Sequence, residues 1–115
     1  MTAQGSSRSV FKRAIERGNL PMAEMTAREM GHIWLTDALA LTVLAVEKAP
    51  GKRNAYTTRF LRRLLDADEN LTIDEAVLAA TALAALGGRA HQQAVSALSD
   101  MAERASRRKR TRVGT

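Results

Sequence analysis

Apolar residues recur at steps of three and four along most of this chain, which is the spacing of an amphipathic helix. Residues that start and stop helices divide this pattern into about six segments. The first predicted helix is capped by Ser9 and stops at Gly18-Asn19, and its apolar face consists of Val10, Phe11, Ala14 and Ile15. No stretch alternates apolar and polar residues as a half-buried strand would.

The next three segments are delimited in the same way. Pro21 suits the first turn of a second helix, because its missing N–H falls where no partner exists, and Gly31 fits a left-handed stop. A third helix is predicted from Thr36 to Val46, ahead of Pro50-Gly51. A fourth helix has a buried stripe made of Phe60, Leu61, Leu64 and Leu65.

The clearest helix start is a capping box formed by Thr72 and Glu75. The Thr72 hydroxyl can accept from the Glu75 N–H while the Glu75 carboxylate accepts from the Thr72 N–H. Gly87-Gly88 ends this fifth helix. The apolar face of the sixth helix consists of Ala94, Val95, Leu98, Met101, Ala102 and Ala105.

These elements predict an all-α fold with about six helices, arranged as stacked antiparallel hairpins or as a small orthogonal bundle, with flexible termini. The predicted domains are a flexible N-terminus at residues 1–8, one helical domain at 9–105 and a basic disordered tail at 106–115. A chain of 115 residues buries roughly two thirds of its unfolded surface and folds without cross-links. The absence of cysteine excludes disulfides and thiolate metal sites.

Two halves of the chain are weakly similar in sequence at a spacing of 38 residues. Asp37-Ala38-Leu39 aligns with Glu75-Ala76-Val77, and Phe60 aligns with Leu98. The turn Gly18-Asn19-Leu20-Pro21-Met22-Ala23, followed by Ala27, resembles the turn of tetratricopeptide-type hairpins. The period is more similar to that of HEAT-like repeats. The resemblance to helical-hairpin repeats implies stacked hairpins and, by analogy, the binding of other protein chains.

The third and fifth helices lack charge over Ala38 to Val46 and Ala76 to Leu86, so each needs cover on most sides. The favoured interpretation places both at the centre of a small bundle, with alanines allowing close approach. The alternative is homodimerisation, because a six-helix unit of this size leaves little material to cover two apolar helices.

The net charge of +6 resides in the last twelve residues. Residues 1–103 contain 12 basic and 12 acidic side chains, whereas the end of the chain has no acid and carries Arg104, Arg107, Arg108, Lys109, Arg110 and Arg112. Like charges this dense repel one another and bury nothing apolar, so we expect the segment to bind a polyanion.

A second basic feature lies in the fourth helix, where no acid occurs between Pro50 and Leu65. Spacings of four, three and four place Lys52, Tyr56, Arg59 and Arg63 on one outward ridge. Together with Arg53 and Arg62, this ridge is predicted to contact nucleic-acid phosphates, for which the arginine fork is well suited. The alternative is an ordinary solvated face whose cations pair with Glu47, Asp66, Asp68 or Glu69.

No helix predicted from this sequence is suited to base-specific recognition of DNA. A helix-turn-helix over Ala23 to Leu39 would insert the third helix into the major groove, where its apolar side chains offer no donors to base edges. His32 and His91 have no ligand-spaced partner, and no nucleophile elbow or phosphate-binding glycine loop is present. We therefore expect no enzyme activity, no cofactor and no metal.

The functional hypothesis is a non-enzymatic nucleic-acid-binding protein, with DNA as the expected nucleic acid, that contacts phosphates through its tail and the ridge on helix four. The alternative is a protein–protein interaction adaptor of helical-repeat type whose tail meets an acidic protein surface. The sequence predicts no membrane segment. Its 21 alanines, and 14 arginines against four lysines, suggest GC-rich bacterial coding, hence a cytoplasmic protein, nucleoid-associated if it binds DNA.

Overall fold

The computed structural model describes the backbone of residues 3–114 and the side chains of residues 7–107. Its six helices are α1 (Ala3–Glu16), α2 (Leu20–Met30), α3 (Leu35–Lys48), α4 (Arg53–Ala67), α5 (Ile73–Ala85) and α6 (His91–Gly114). A short 3-10 turn at Pro50–Lys52 leads into α4. No strand occurs over residues 3–114, which confirms the all-α prediction.

The helices pack as three successive hairpins, α1 with α2, α3 with α4, and α5 with α6. Helix α3 is central, since it also contacts α1, α2 and α6. One core cluster lies among α3, α4, α5 and α6 around Phe60, Leu64 and Leu98. A second lies among α1, α2, α3 and α4 around Phe11 and Tyr56.

Local rules place the ends of α2 correctly. The Asn19 side chain accepts a hydrogen bond from Met22 N at 3.2 Å, and Pro21 lies in the first turn. Gly31 ends the helix at φ 75°, a conformation that disfavours any side chain. The capping box of Thr72 and Glu75 at the start of α5 is also present, with both hydrogen bonds formed.

Helix α1 begins before the predicted cap, so Ser9 lies inside it. The Arg8 guanidinium lies 2.9 Å from the Asp37 carboxylate in the first turn of α3 and 4.1 Å from the centre of the Trp34 ring. Trp34 is 61% exposed, and its ring is a platform for Arg8.

Helices α3 and α5 have different surroundings, although their sequences are similarly apolar. Helix α3 is covered on most sides, as the central-bundle interpretation predicts. Helix α5 contacts only α4 and α6 within the described chain, and its buried side chains are Ala79, Ala82 and Leu83. Ile73 is 83% exposed and Val77 59%, so the prediction that α5 is a covered central helix is wrong.

The predicted division into residues 1–8, 9–105 and 106–115 stays a prediction. The backbone of α6 is described through Gly114, but the side chains beyond Arg107 and before Ser7 lie outside the described residues.

Candidate functional site

The predicted ridge on α4 divides between core and surface. Phe60 and Leu64 are buried as predicted, but Leu65 of the predicted stripe is 45% exposed. Lys52, Arg59, Arg62 and Arg63 are exposed. Tyr56 was predicted on the outward ridge, but it is only 6% exposed. The ring enters the cluster between α1, α2 and α3, and its hydroxyl donates to the half-buried Glu24 carboxylate of α2.

The environment of Tyr56 favours the neutral phenol. Burial, followed by the hydrogen bond to Glu24 and the negative charge of that carboxylate, raises the pKa of Tyr56 to about 12. The hydroxyl therefore remains a donor to Glu24 at neutral pH.

Arg53 has a structural role at the end of α5. Its guanidinium donates to the carbonyl oxygens of Leu83, Ala84 and Leu86 at 2.7 to 2.8 Å. These are the carbonyls that a helix C-terminus leaves without partners, and a cation there also opposes the negative end of the helix dipole. The Arg53 donors are thus largely occupied within the protein.

Arg59 and Arg63 meet a third arginine, Arg28 of α2, at an open cleft between α2, α3 and α4. We call this the arginine cleft. Its volume is about 190 Å³, and its floor is formed by Ala27, Ile33, Ala38, Leu41 and Phe60. Glu24, Thr42 and Tyr56 supply the polar atoms inside it.

The arginine cleft carries a surplus of positive charge. None of its three arginines forms an ion pair within the part of the chain whose side chains are described. The lining contains one acid, Glu24, against three guanidinium groups. Arg59 lies over the Tyr56 ring at 5.4 Å, which positions its guanidinium at the cleft while leaving its N–H edge available.

The remaining predicted cations lie apart from the arginine cleft. Arg62 on α4 and Lys52 in the 3-10 turn before it are exposed and lie outside the cleft lining. In the tail, Arg104 pairs with Glu75 at 3.4 Å, and Arg107 lies 4.0 Å from Glu103. Arg108, Lys109, Arg110 and Arg112 lie outside the residues whose side chains are described.

Sequence reasoning missed Arg28 and Glu24. Nothing in the periodicity of α2 marks either residue, because both look like ordinary solvated positions of an amphipathic helix. Their significance depends on the packing of α2 and α4 against α3, which brings side chains of both helices to one cleft.

The helix-turn-helix alternative does not fit the position of α3. Most of this helix is unavailable to a DNA groove, because its buried residues in the two core clusters are Leu35, Ala38, Leu39, Leu44, Ala45 and Val46.

Neither histidine belongs to a metal-binding group within the described residues, which contain no cluster of three such ligands. His91 has a capping role that the sequence analysis missed. Its Nδ1 accepts a hydrogen bond from Gly87 N at 2.8 Å and so supports the turn between α5 and α6.

Across the helices that the structure describes, none combines the length and apolar character needed to cross a membrane. No protein-family model, curated protein or solved structure matches this chain.

Proposed function

We propose that this protein binds nucleic acid non-enzymatically through contacts to phosphate, with the arginine cleft as the main contact surface of its folded body. One observation carries this proposal: Arg28, Arg59 and Arg63 come from two helices to one cleft, and no acid of the described chain pairs with them. A charge arrangement that is unsatisfied within the protein is suited to an anionic partner.

Arginine favours phosphate as the anion, because its planar fork donates two parallel hydrogen bonds to phosphate oxygens. The exposed Lys52 and Arg62 extend the positive surface along α4. The tail cations Arg108, Lys109, Arg110 and Arg112 add flanking contacts to the same polyanion in this proposal.

The test compares two triple variants that remove equal charge. Arg28→Gln/Arg59→Gln/Arg63→Gln neutralises the arginine cleft. Lys12→Gln/Arg13→Gln/Arg17→Gln, the α1 variant, neutralises exposed cations on α1 and just after its end, outside the cleft. Binding to single-stranded and duplex oligonucleotides is measured by fluorescence anisotropy. We expect the cleft variant to lose about tenfold or more in affinity for single strands and the α1 variant to lose much less. Equal losses, or no binding by the native protein, contradict the proposal.

The exposed face of α5 favours a second candidate function, self-association. Ile73, Val77, Ala80, Thr81 and Ala84 lie on one side of the helix and are all exposed. A second copy of this chain suits the face, because Asp74 lies at its first turn and Arg89 just beyond its end. An antiparallel pair would bring each Asp74 towards Arg89 of the other copy, and the small residues permit close approach.

Sedimentation equilibrium tests this candidate. The native protein should form a dimer that Val77→Glu disrupts, whereas Leu65→Glu, an equal change at an exposed apolar residue of α4, should leave it intact. A native protein that stays monomeric at high micromolar concentration rules out the α5 dimer.

A further inference from the structure

The polar groups inside the arginine cleft determine which hydrogen-bonding groups a ligand must present there. The Tyr56 hydroxyl donates to Glu24, and the Thr42 hydroxyl donates to Ala38 O at 2.8 Å. Both hydroxyl protons are therefore used within the protein. The interior of the cleft presents only acceptors, namely the Glu24 carboxylate and the lone pairs of two hydroxyl oxygens.

The rim of the cleft presents the opposite pattern. Arg28, Arg59 and Arg63 offer positively charged donors, and a guanidinium has no acceptor. A ligand that satisfies both regions carries negative charge at one end and N–H donors on an apolar body at the other.

The size and shape of the cleft restrict the ligand further. A volume of about 190 Å³ is below the roughly 300 Å³ of pockets that enclose whole drug-sized ligands, so the cleft accommodates one ring rather than several. Its floor is apolar, which suits the face of a ring. A stacked base in a duplex cannot enter a concave site of this kind, whereas a base of a single strand can be splayed into it.

We propose that the arginine cleft binds one unstacked nucleotide of a single-stranded nucleic acid and prefers bases that carry an exocyclic amino group. The base lies on the apolar floor and donates its amino N–H to Glu24, as a carboxylate accepts from cytosine N4 in other complexes. The arginines hold the flanking phosphates and present guanidinium planes to the base. Uracil and thymine place carbonyl oxygens where cytosine has its amino group and so face the carboxylate unfavourably.

This inference rests on the proposed function, and its test separates the two. Oligodeoxycytidine and oligodeoxyuridine of equal length carry the same phosphates and differ only in the base edge. Anisotropy titrations with full-length protein should give an affinity for the cytidine strand about tenfold or more above that for the uridine strand. A duplex of the same length should bind no better than the uridine strand.

Two variants probe the cleft itself. Ala27→Met fills the floor without changing charge, and Ala55→Met makes the same change on the exposed side of α4. We expect Ala27→Met to abolish the preference for cytidine and Ala55→Met to keep it, with circular dichroism confirming that both fold.

Glu24→Gln should change the affinities for the cytidine and uridine strands in opposite directions. Removing the only carboxylate of the cleft should raise affinity for the uridine strand and bring the cytidine to uridine ratio towards one. This outcome does not depend on enlarging a side chain in the core.

Equal binding of both strands by the native protein overturns the inference and leaves phosphate binding intact. An acidic peptide that competes for the cleft as strongly as the cytidine strand overturns it as well. Failure to bind any oligonucleotide contradicts the proposed function itself.

Discussion

Whether Tyr56 is exposed or buried does not follow from its spacing along α4 alone. Its spacing from Lys52, Arg59 and Arg63 matches the exposed side of α4, and an aromatic residue on a basic ridge is an expected contact for nucleic acid. Glu24 lies on another helix, however, and its half-buried carboxylate accepts a hydrogen bond from the phenol. The ring is therefore unavailable for stacking, and its contribution to the site is to orient Arg59 and Glu24.

The raised pKa of Tyr56 predicts a loss of stability at high pH. The unfolded chain ionises this tyrosine near pH 10, whereas the folded protein retains the proton to about 12. Between these values the unfolded state binds fewer protons, so the free energy of unfolding falls as pH rises. Because Tyr56 is the only tyrosine, ultraviolet absorbance of the phenolate reports it alone. We expect a folded midpoint near 12 that drops to about 10 in urea.

The matching variant for this prediction is Tyr56→Phe. Lysines also titrate in this pH range, and they are present in both proteins. The native protein should lose stability more steeply with pH than the phenylalanine variant. Identical pH profiles for the two proteins would falsify the assignment of this effect to Tyr56.

Arg53 gives a prediction about stability rather than binding. Its guanidinium satisfies three carbonyls at the end of α5, and hydrogen bonds from a charged group contribute about 1.5 to 3 kcal/mol. Arg53→Ala should therefore lower the free energy of unfolding by about 2 kcal/mol. Arg62→Ala, at an exposed arginine of the same helix, should change it by less than about 0.5 kcal/mol. Urea denaturation followed by circular dichroism measures both, and comparable losses would show that the cap carries no special stability.

Helix ends were predictable where the signal is local. Pro21, Gly31 and the capping box at Thr72 act through neighbours three or four positions away, and each has its predicted role in the structure. The contacts of Arg8 were not predictable from its sequence neighbours, because its partners Asp37 and Trp34 lie at the start of α3. The cleft was not predictable either, since Arg28 meets Arg59 and Arg63 only when α2 and α4 both pack against α3.

The capping box predicts a measurable contribution to α5. Thr72→Ala removes the side-chain acceptor for Glu75 N and should cost about 1 kcal/mol of unfolding free energy. Thr58→Ala is the control, because Thr58 is exposed within α4 and removes no cap. Hydrogen exchange adds a positional readout: amides in the first turn of α5 should exchange faster in the Thr72 variant. Unchanged protection there would contradict a stabilising cap.

The exposed side of α5 follows from its place in the packing order. Within the described chain, helix α3 contacts four other helices, whereas α5, in the last hairpin, contacts only two helices. Apolar composition alone did not separate these cases, since both helices lack charge over their central turns. Which one is covered depends on topology.

The charge of the whole molecule divides between the folded body and the tail. Residues 1–103 balance 12 basic against 12 acidic side chains, yet the balance is not local. Asp37 and Glu75 are each paired with an arginine, while the arginine cleft keeps three guanidinium groups against one carboxylate. Residues 1–103 are therefore neutral in sum but still form a positively charged cleft. The net charge along the sequence does not predict that cleft.

The salt dependence of binding separates the cleft from the tail. Each phosphate contact contributes about 0.9 to the slope of log affinity against log salt on duplex DNA and about 0.7 on single strands. Replacing the four distal tail cations Arg108, Lys109, Arg110 and Arg112 by glutamine should reduce the slope on both ligands, by up to about 3.6 on duplex. The triple cleft variant should reduce it by about 2 on single strands and leave the duplex slope nearly unchanged, because only an unstacked strand enters the cleft. A tail variant with native slopes would show that those cations contact no phosphate. If the cleft variant lowers the slope equally on both ligands, its arginines lie on an open surface that does not distinguish single strands from duplex.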